Sequence, residues 1–291
     1  MAVSSNQRLF ETPRAPELVL PTKRAHDPVL WSTLAIALLL AVTAVAGLFW
    51  PATYARETAY SRAGGVASDL VNLLLVLPVL LISGTKAYRG SLPARLVWLG
   101  VQGYLLYNFV IYAFGVHFNA LFLVYCATLG LCFYAAIFNL PLVPAGHIAR
   151  VYGPHVPRWT VAIIFFALAF STAVPDLREN ILAILAGRVP ESITQANQPV
   201  NFVHVLDLVF LLPALCITAA LLLRRKPAGY VLAPVFLTLL AVMSLELVSI
   251  IAIMGRQGSG MNVPMISFFL ALAAMFTLLL WLCLRPPSRS A

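Results

Sequence analysis

Apolar runs of bilayer length recur along this chain, separated by short polar gaps. Eight can be marked, at about 30–50, 66–85, 93–115, 118–138, 158–175, 203–223, 228–254 and 263–284. Each is close to the roughly 17–25 residues a helix needs to cross the hydrocarbon. None alternates with period two, and each is about twice the length of a barrel strand, which excludes a transmembrane barrel. The pattern predicts an all-α, polytopic transmembrane bundle of about eight helices. It divides the chain into a polar tail at 1–29, a helical domain at 30–284 and a short tail at 285–291. The first run, Leu30 to Trp50, is too long for a signal-peptide core, so a retained helix is expected there.

Composition agrees with a lipid-solvated chain. The protein is 61% hydrophobic and 10% charged, with a mean hydropathy of +0.92, whereas soluble domains carry roughly 25% charge. The lipid bilayer is therefore the main expected partner. The net charge of +9 would suggest nucleic acid in a soluble protein. Here the basic residues sit in short gaps between apolar runs, so no nucleic-acid partner is expected. With the N-terminus inside, only Arg56, Arg62, Arg178, Arg188 and Arg256 fall outside, and the other fourteen of the nineteen Lys and Arg fall in the cytoplasm. The five tryptophans lie near run ends, as an aromatic belt requires. The sequence thus points to both termini in the cytoplasm, and its tight loops point to a bacterial plasma membrane. The longest outer stretch, 176–202, contains DLRENILAILAGR, whose spacing predicts a short helix lying on the outer surface or covering the bundle. Cys126, Cys132, Cys216 and Cys283 all lie inside apolar runs, so neither a disulfide framework nor a thiolate zinc site is expected.

Two segments align without gaps at an offset of 135 residues: DLVNLLLVLPVLLISGTKAYR from Asp69 and HVLDLVFLLPALCITAALLLR from His204. Pro78 falls on Pro213, Arg89 on Arg224, and the polar pair Asp69/Asn72 on His204/Asp207. The alignment suggests a parallel four-plus-four repeat, over 30–138 and 158–284, which is one of the known transporter plans. The two prolines are expected to kink their helices at mid-membrane.

Ionisable groups inside a membrane cost roughly 2.5–3.5 kcal/mol at its centre, and so mark candidate sites. Asp69, Asp207 and Glu246 are the acidic ones, and His204 lies one turn from Asp207. The third run adds Tyr104, Asn108 and Tyr112 at i, i+4, i+8, with Tyr107 beside them. All are placed in the outer half, and the inner halves read as almost purely apolar. Asp69, Asn72, Asn108, Tyr112, His204, Asp207 and Glu246 are therefore expected to line a polar, partly hydrated pocket that opens outward and binds a ligand or ion. The bland alternatives are helix caps, a His204–Asp207 pair and belt tyrosines. His204 and Asp207 are the first choice for any metal, but no ligand spacing such as His-Glu-x-x-His is present. No nucleotide, flavin or hydrolase motif occurs, and no cofactor is identified. The favoured function is a secondary transporter or permease for a small solute or ion. The alternatives are a non-catalytic sensor, assembly factor or complex subunit, and a membrane-embedded enzyme acting on an apolar or lipid-linked substrate at the outer leaflet.

Overall fold

The computed structural model describes residues 28–285. Both polar tails lie almost wholly outside the described residues. Among the described residues, eight helices are long and apolar enough to cross a membrane: α1 (Pro28–Phe49), α2 (Ala59–Tyr88), α3 (Leu92–Gly115), α4 (Phe122–Asn139), α5 (Arg158–Leu185), α6 (Phe202–Leu223), α7 (Pro227–Gln257) and α8 (Val263–Leu284). Among the described residues there is no strand. The membrane face holding Lys86, Arg89, Arg95, Arg158 and Arg224–Lys226 is called the basic face here, and the opposite one the far face.

Local chemistry sets the helix ends. The side chain of Thr58 accepts from Ser61 N at 3.2 Å to start α2, and Asn201 accepts from Val203 N at 3.0 Å to start α6. Pro93, Pro227 and Pro264 occupy first-turn positions of α3, α7 and α8, where the missing N–H costs nothing.

One expectation fails here. The stretch 176–185 is not a separate surface helix but the continuation of α5, which runs through Pro175 to Leu185. A shorter helix, Glu191–Ala196, lies in the loop beyond it.

The helices α1 to α4 form a closed four-helix bundle, in which α1 packs on α2 and α4, and α3 on α2 and α4. The helices α5, α6, α7 and α8 pack in a row, and no comparable seam joins α5 to α8. The two groups meet mainly where α7 lies along α3 and α2. At Gly100 the backbones of α3 and α7 come so close that a Cβ would stand 2.6 Å from Val235 O and 2.5 Å from Thr238 Cβ. Small residues serve this purpose in lipid, where helices associate by close packing rather than by excluding water.

The segments aligned at an offset of 135 follow the same local course. Each contains a π turn: Leu77 N bonds to Asn72 O, and Leu212 N bonds to Asp207 O. Each π turn is followed at once by its proline, which lacks an N–H and whose ring would strike a carbonyl one turn back. The extra residue in the ladder accommodates it, so the expected kinks take the form of π turns. Both helices end one residue before an arginine, Arg89 and Arg224. The next residue has positive φ in each, 91° at Gly90 and 53° at Arg225. The following helices then start at Leu92 and Pro227.

Candidate functional site

Three helices bring polar groups together in the half of the bundle nearer the far face. Ser68, Asp69 and Asn72 come from the turns of α2 around its π segment. Tyr104, Asn108 and Tyr112 come from one stripe of α3, and Glu246 comes from α7. The bonds form a directed chain. Tyr104 Oη donates to Asn72 Oδ1 at 3.2 Å, Asn72 Nδ2 to Asn108 Oδ1 at 3.1 Å, and Asn108 Nδ2 to Glu246 Oε1 at 3.0 Å. Ser68 Oγ also donates to Glu246 Oε1. The i, i+4 spacing of Ser68/Asn72 and of Tyr104/Asn108 keeps each pair on one helix face, so Ser68 and Asn108 meet the same Glu246 oxygen while Asn72 and Tyr104 extend the chain behind them.

Asp69 sits beside this chain. Its Oδ1 accepts from Tyr112 Oη at 2.7 Å and its Oδ2 from Tyr54 Oη at 2.5 Å. The carboxylate fits only because position 47 of α1 is glycine, since a Cβ there would overlap it. Tyr54 lies in the turn Pro51–Tyr54 after α1, outside the spans. Burial first, and then the neighbouring Asp69 carboxylate, hold its phenol well above the ordinary tyrosine range, so it stays a donor. Tyr112 packs on Tyr125 of α4, with ring centroids 5.2 Å apart.

The remaining sequence candidates go elsewhere. Asp207 accepts from Tyr107 Oη at 3.0 Å, across the meeting of α6 and α3. His204 does not bond Asp207. Its Nδ1 lies 2.9 Å from Asn180 Nδ2, and its Nε2 lies 3.4 Å from Asp176 Oδ1 and 3.8 Å from Glu179 Oε2. The extension of α5 past Pro175 is what puts those three partners in reach. Among the described residues, no set of three or more His, Cys, Asp or Glu is disposed to hold a metal, around His204 and Asp207 or anywhere else.

Asn72, Asn108 and Glu246 thus share one chain, Asp69 and Tyr112 adjoin it, Asp207 stands at its edge through Tyr107, and His204 belongs to a separate cluster. The groups do not line an open pocket in this structure. Asp69 and Asn72 are fully buried, Asn108, Tyr112 and Asp207 nearly so, and Glu246 and His204 are half-buried. Two cavities lie above them at the far face. One of about 450 Å³ is bordered by Thr58, Ala59 and Tyr60 at the start of α2 and by Met254 and Gln257 at the end of α7. These are the two helices that join Ser68 to Glu246. The other, of about 160 Å³, is bordered by Trp50, Thr53, Arg56, His117 and Asn119.

Among the described residues, no Lys, Arg or His is ion-paired with Asp69, Asp207 or Glu246. Neutral donors alone hold these carboxylates, and a carboxylate without a countercharge is costly in such surroundings.

Several participants were not singled out in the sequence. Ser68 and Tyr54 contact the carboxylates, and Glu57 is buried against His117, which reaches it through backbone N at 2.7 Å and Nδ1 at 3.0 Å. Gln102 lies fully buried near the middle of α3, in a region read as apolar.

No family model, curated protein or solved structure matches the chain.

Proposed function

We propose that this multi-pass membrane protein is a secondary transporter, a permease for a small solute or ion, with Asp69 and Glu246 taking up the coupling cation. The basic face would be cytoplasmic and the far face external, in a bacterial plasma membrane. The observation that carries the reading is the position of Glu246. It is a carboxylate of the second group of four helices, it accepts from Ser68 and Asn108 of the first group, and among the described residues no cationic side chain is paired with it. Carriers built from repeats place their sites at the interface between repeats, beside interrupted helices. Asn72 and Asp207 each open a π turn there.

A four-plus-four duplication would fit this plan. If α1–α4 and α5–α8 are copies at an offset of 135, then α2 against α7 corresponds to α6 against α3, and both contacts exist. Gly100 and Val235 would be equivalent positions, and they touch each other, as residues on a two-fold axis must.

The test is charge movement. Purified protein in proteoliposomes on a solid-supported membrane is exposed to steps of pH, then Na⁺, then panels of small neutral, anionic and cationic solutes. The expected result is a transient current that Glu246→Gln reduces at least tenfold in a correctly folded variant. Superimposable traces for the parent and Glu246→Gln under every step would refute the permease reading.

One observation favours a second reading, a subunit of a larger assembly. The closed seam of α1 with α4 has no equivalent between α5 and α8, which leaves those two edge helices largely uncovered. A defined stoichiometric complex purified in mild detergent, together with silence in the current assay, would support it.

A further inference from the structure

Six buried side-chain polar atoms have no hydrogen-bond partner among the described residues, and five of them lie in α1, α3 and α4. They are Thr43 Oγ1, Arg95 Nε, both amide atoms of Gln102 and Asn139 Oδ1. Buried polar groups are almost always satisfied, so a set of unpaired ones on three adjoining helices calls for a physical account.

Their spacing supplies one. Phe109 of α3 and Tyr125 of α4 pack edge to face with centroids 6.4 Å apart, which fixes the level of one helix on the other. Arg95 lies fourteen residues from Phe109 towards the basic face, and Asn139 lies fourteen residues from Tyr125 in the same direction. At about 1.5 Å per residue both lie about 21 Å down, at one level. Gln102 lies halfway, opposite Cys132. Positions 95, 98, 102, 105, 109 and 112 of α3 alternate by three and four, as do 125, 128, 132, 135 and 139 of α4. That spacing keeps a residue on one seam.

The level of α1 is set by Trp98 Nε1, which donates to Thr33 Oγ1 at 2.8 Å. Counting from that bond puts Thr43 about 9 Å nearer the far face than Gln102. Thr43 is also one turn below Gly47, against which Asp69 packs. The unpaired atoms therefore descend from Asp69 through Thr43 and Gln102 to Arg95 and Asn139, in steps of about 6 to 10 Å. A few hydrogen-bonded waters would fill each step.

We propose that the seam between α1, α3 and α4 is a water conduit joining the Asp69–Glu246 site to the basic face, closed in this structure and hydrated in a second conformation. An apolar residue at position 102 would pack this closed state without an unpaired amide. Polar groups at these levels have partners once water enters. The conduit deepens the permease reading by giving the carboxylates access to both faces, but its test needs no transported solute.

The test is cysteine accessibility. In protein with Cys126, Cys132, Cys216 and Cys283 replaced by alanine, Gln102→Cys is compared with Leu237→Cys. Leu237 is fully buried in α7, at the position that the 135-residue offset assigns to Gln102. A small, membrane-impermeant methanethiosulfonate is applied to sealed vesicles from each face in turn. The expected result is modification of Gln102→Cys from the basic face at least ten times faster than Leu237→Cys. Equal rates, or faster modification from the far face, would overturn the conduit. If Gln102→Cys does not fold, Thr43→Cys, close in volume to the native residue, is read against the same control and by the same criteria. Labelling without charge movement would keep the conduit and remove the permease, and the reverse result would do the opposite.

Discussion

Gln102 offers a prediction with an uncommon sign. Its side chain is fully buried in α3, and neither Nε2 nor Oε1 has a hydrogen-bond partner among the described residues. An unsatisfied buried polar group costs about 1–3 kcal/mol. Leucine has nearly the same volume and removes both polar atoms, so Gln102→Leu should stabilise the closed structure by about 2 kcal/mol. For a chain of this size about 1 kcal/mol moves Tm by roughly 2 °C, so the expected rise is about 4 °C. The assay is thermal unfolding followed by tryptophan fluorescence in a single detergent, with Gln102→Glu as the opposing control. The glutamate variant should fall well below the parent, because it buries a charge at the same place. A Gln102→Leu protein that melts at or below the parent temperature would refute the reasoning, since it would show that the amide has a partner in the folded protein.

Two further outcomes follow from the site geometry. Gly47→Ala drives a methyl into the Asp69 carboxylate and should cost about 1–3 kcal/mol, read as a lowered Tm, whereas Gly64→Ala, with open space around it, should cost no more than about 0.5 kcal/mol. A double-mutant cycle on Ser68→Ala and Glu246→Gln, measured by the same unfolding assay, should return a coupling of about 0.5–2 kcal/mol, and additive effects would mean that the bond across the two helix groups contributes nothing.

The eight spans are legible in the sequence because a bilayer leaves so few alternatives: twenty apolar residues in a row have one stable home. What the residues pair with is much less legible. Tyr104, Asn108 and Tyr112 share a stripe by simple counting, but nothing in the spacing says that Asn108 reaches α7 while Tyr112 reaches Asp69 of α2. Tyr107, one residue from that stripe, turns to Asp207 instead. The apolar run that marks α5 ends at 175, where charged residues begin, and hydropathy alone does not carry the helix further. The helix passes that point, and Asp176, Glu179 and Asn180 beyond it meet His204, a tertiary contact with no local trace. In the sequence Gln102 is one amide in an apolar run and draws no notice by itself. Its seven-residue distance from both Arg95 and Phe109 was the available signal, and it has meaning only once α4 is known to lie alongside.

The near-touching backbones at Gly100 and Val235 also have a mechanical side. Eight residues above that point α3 carries Asn108, about 12 Å away along the helix. A tilt of roughly 10° between α3 and α7 about so tight a fulcrum would swing Asn108 about 2 Å relative to Glu246. That is enough to break the 3.0 Å bond between them, while the contact at the fulcrum barely moves. A single glycine thus sets the gear ratio by which a small rocking of two rigid groups of helices would make or unmake a carboxylate contact between them.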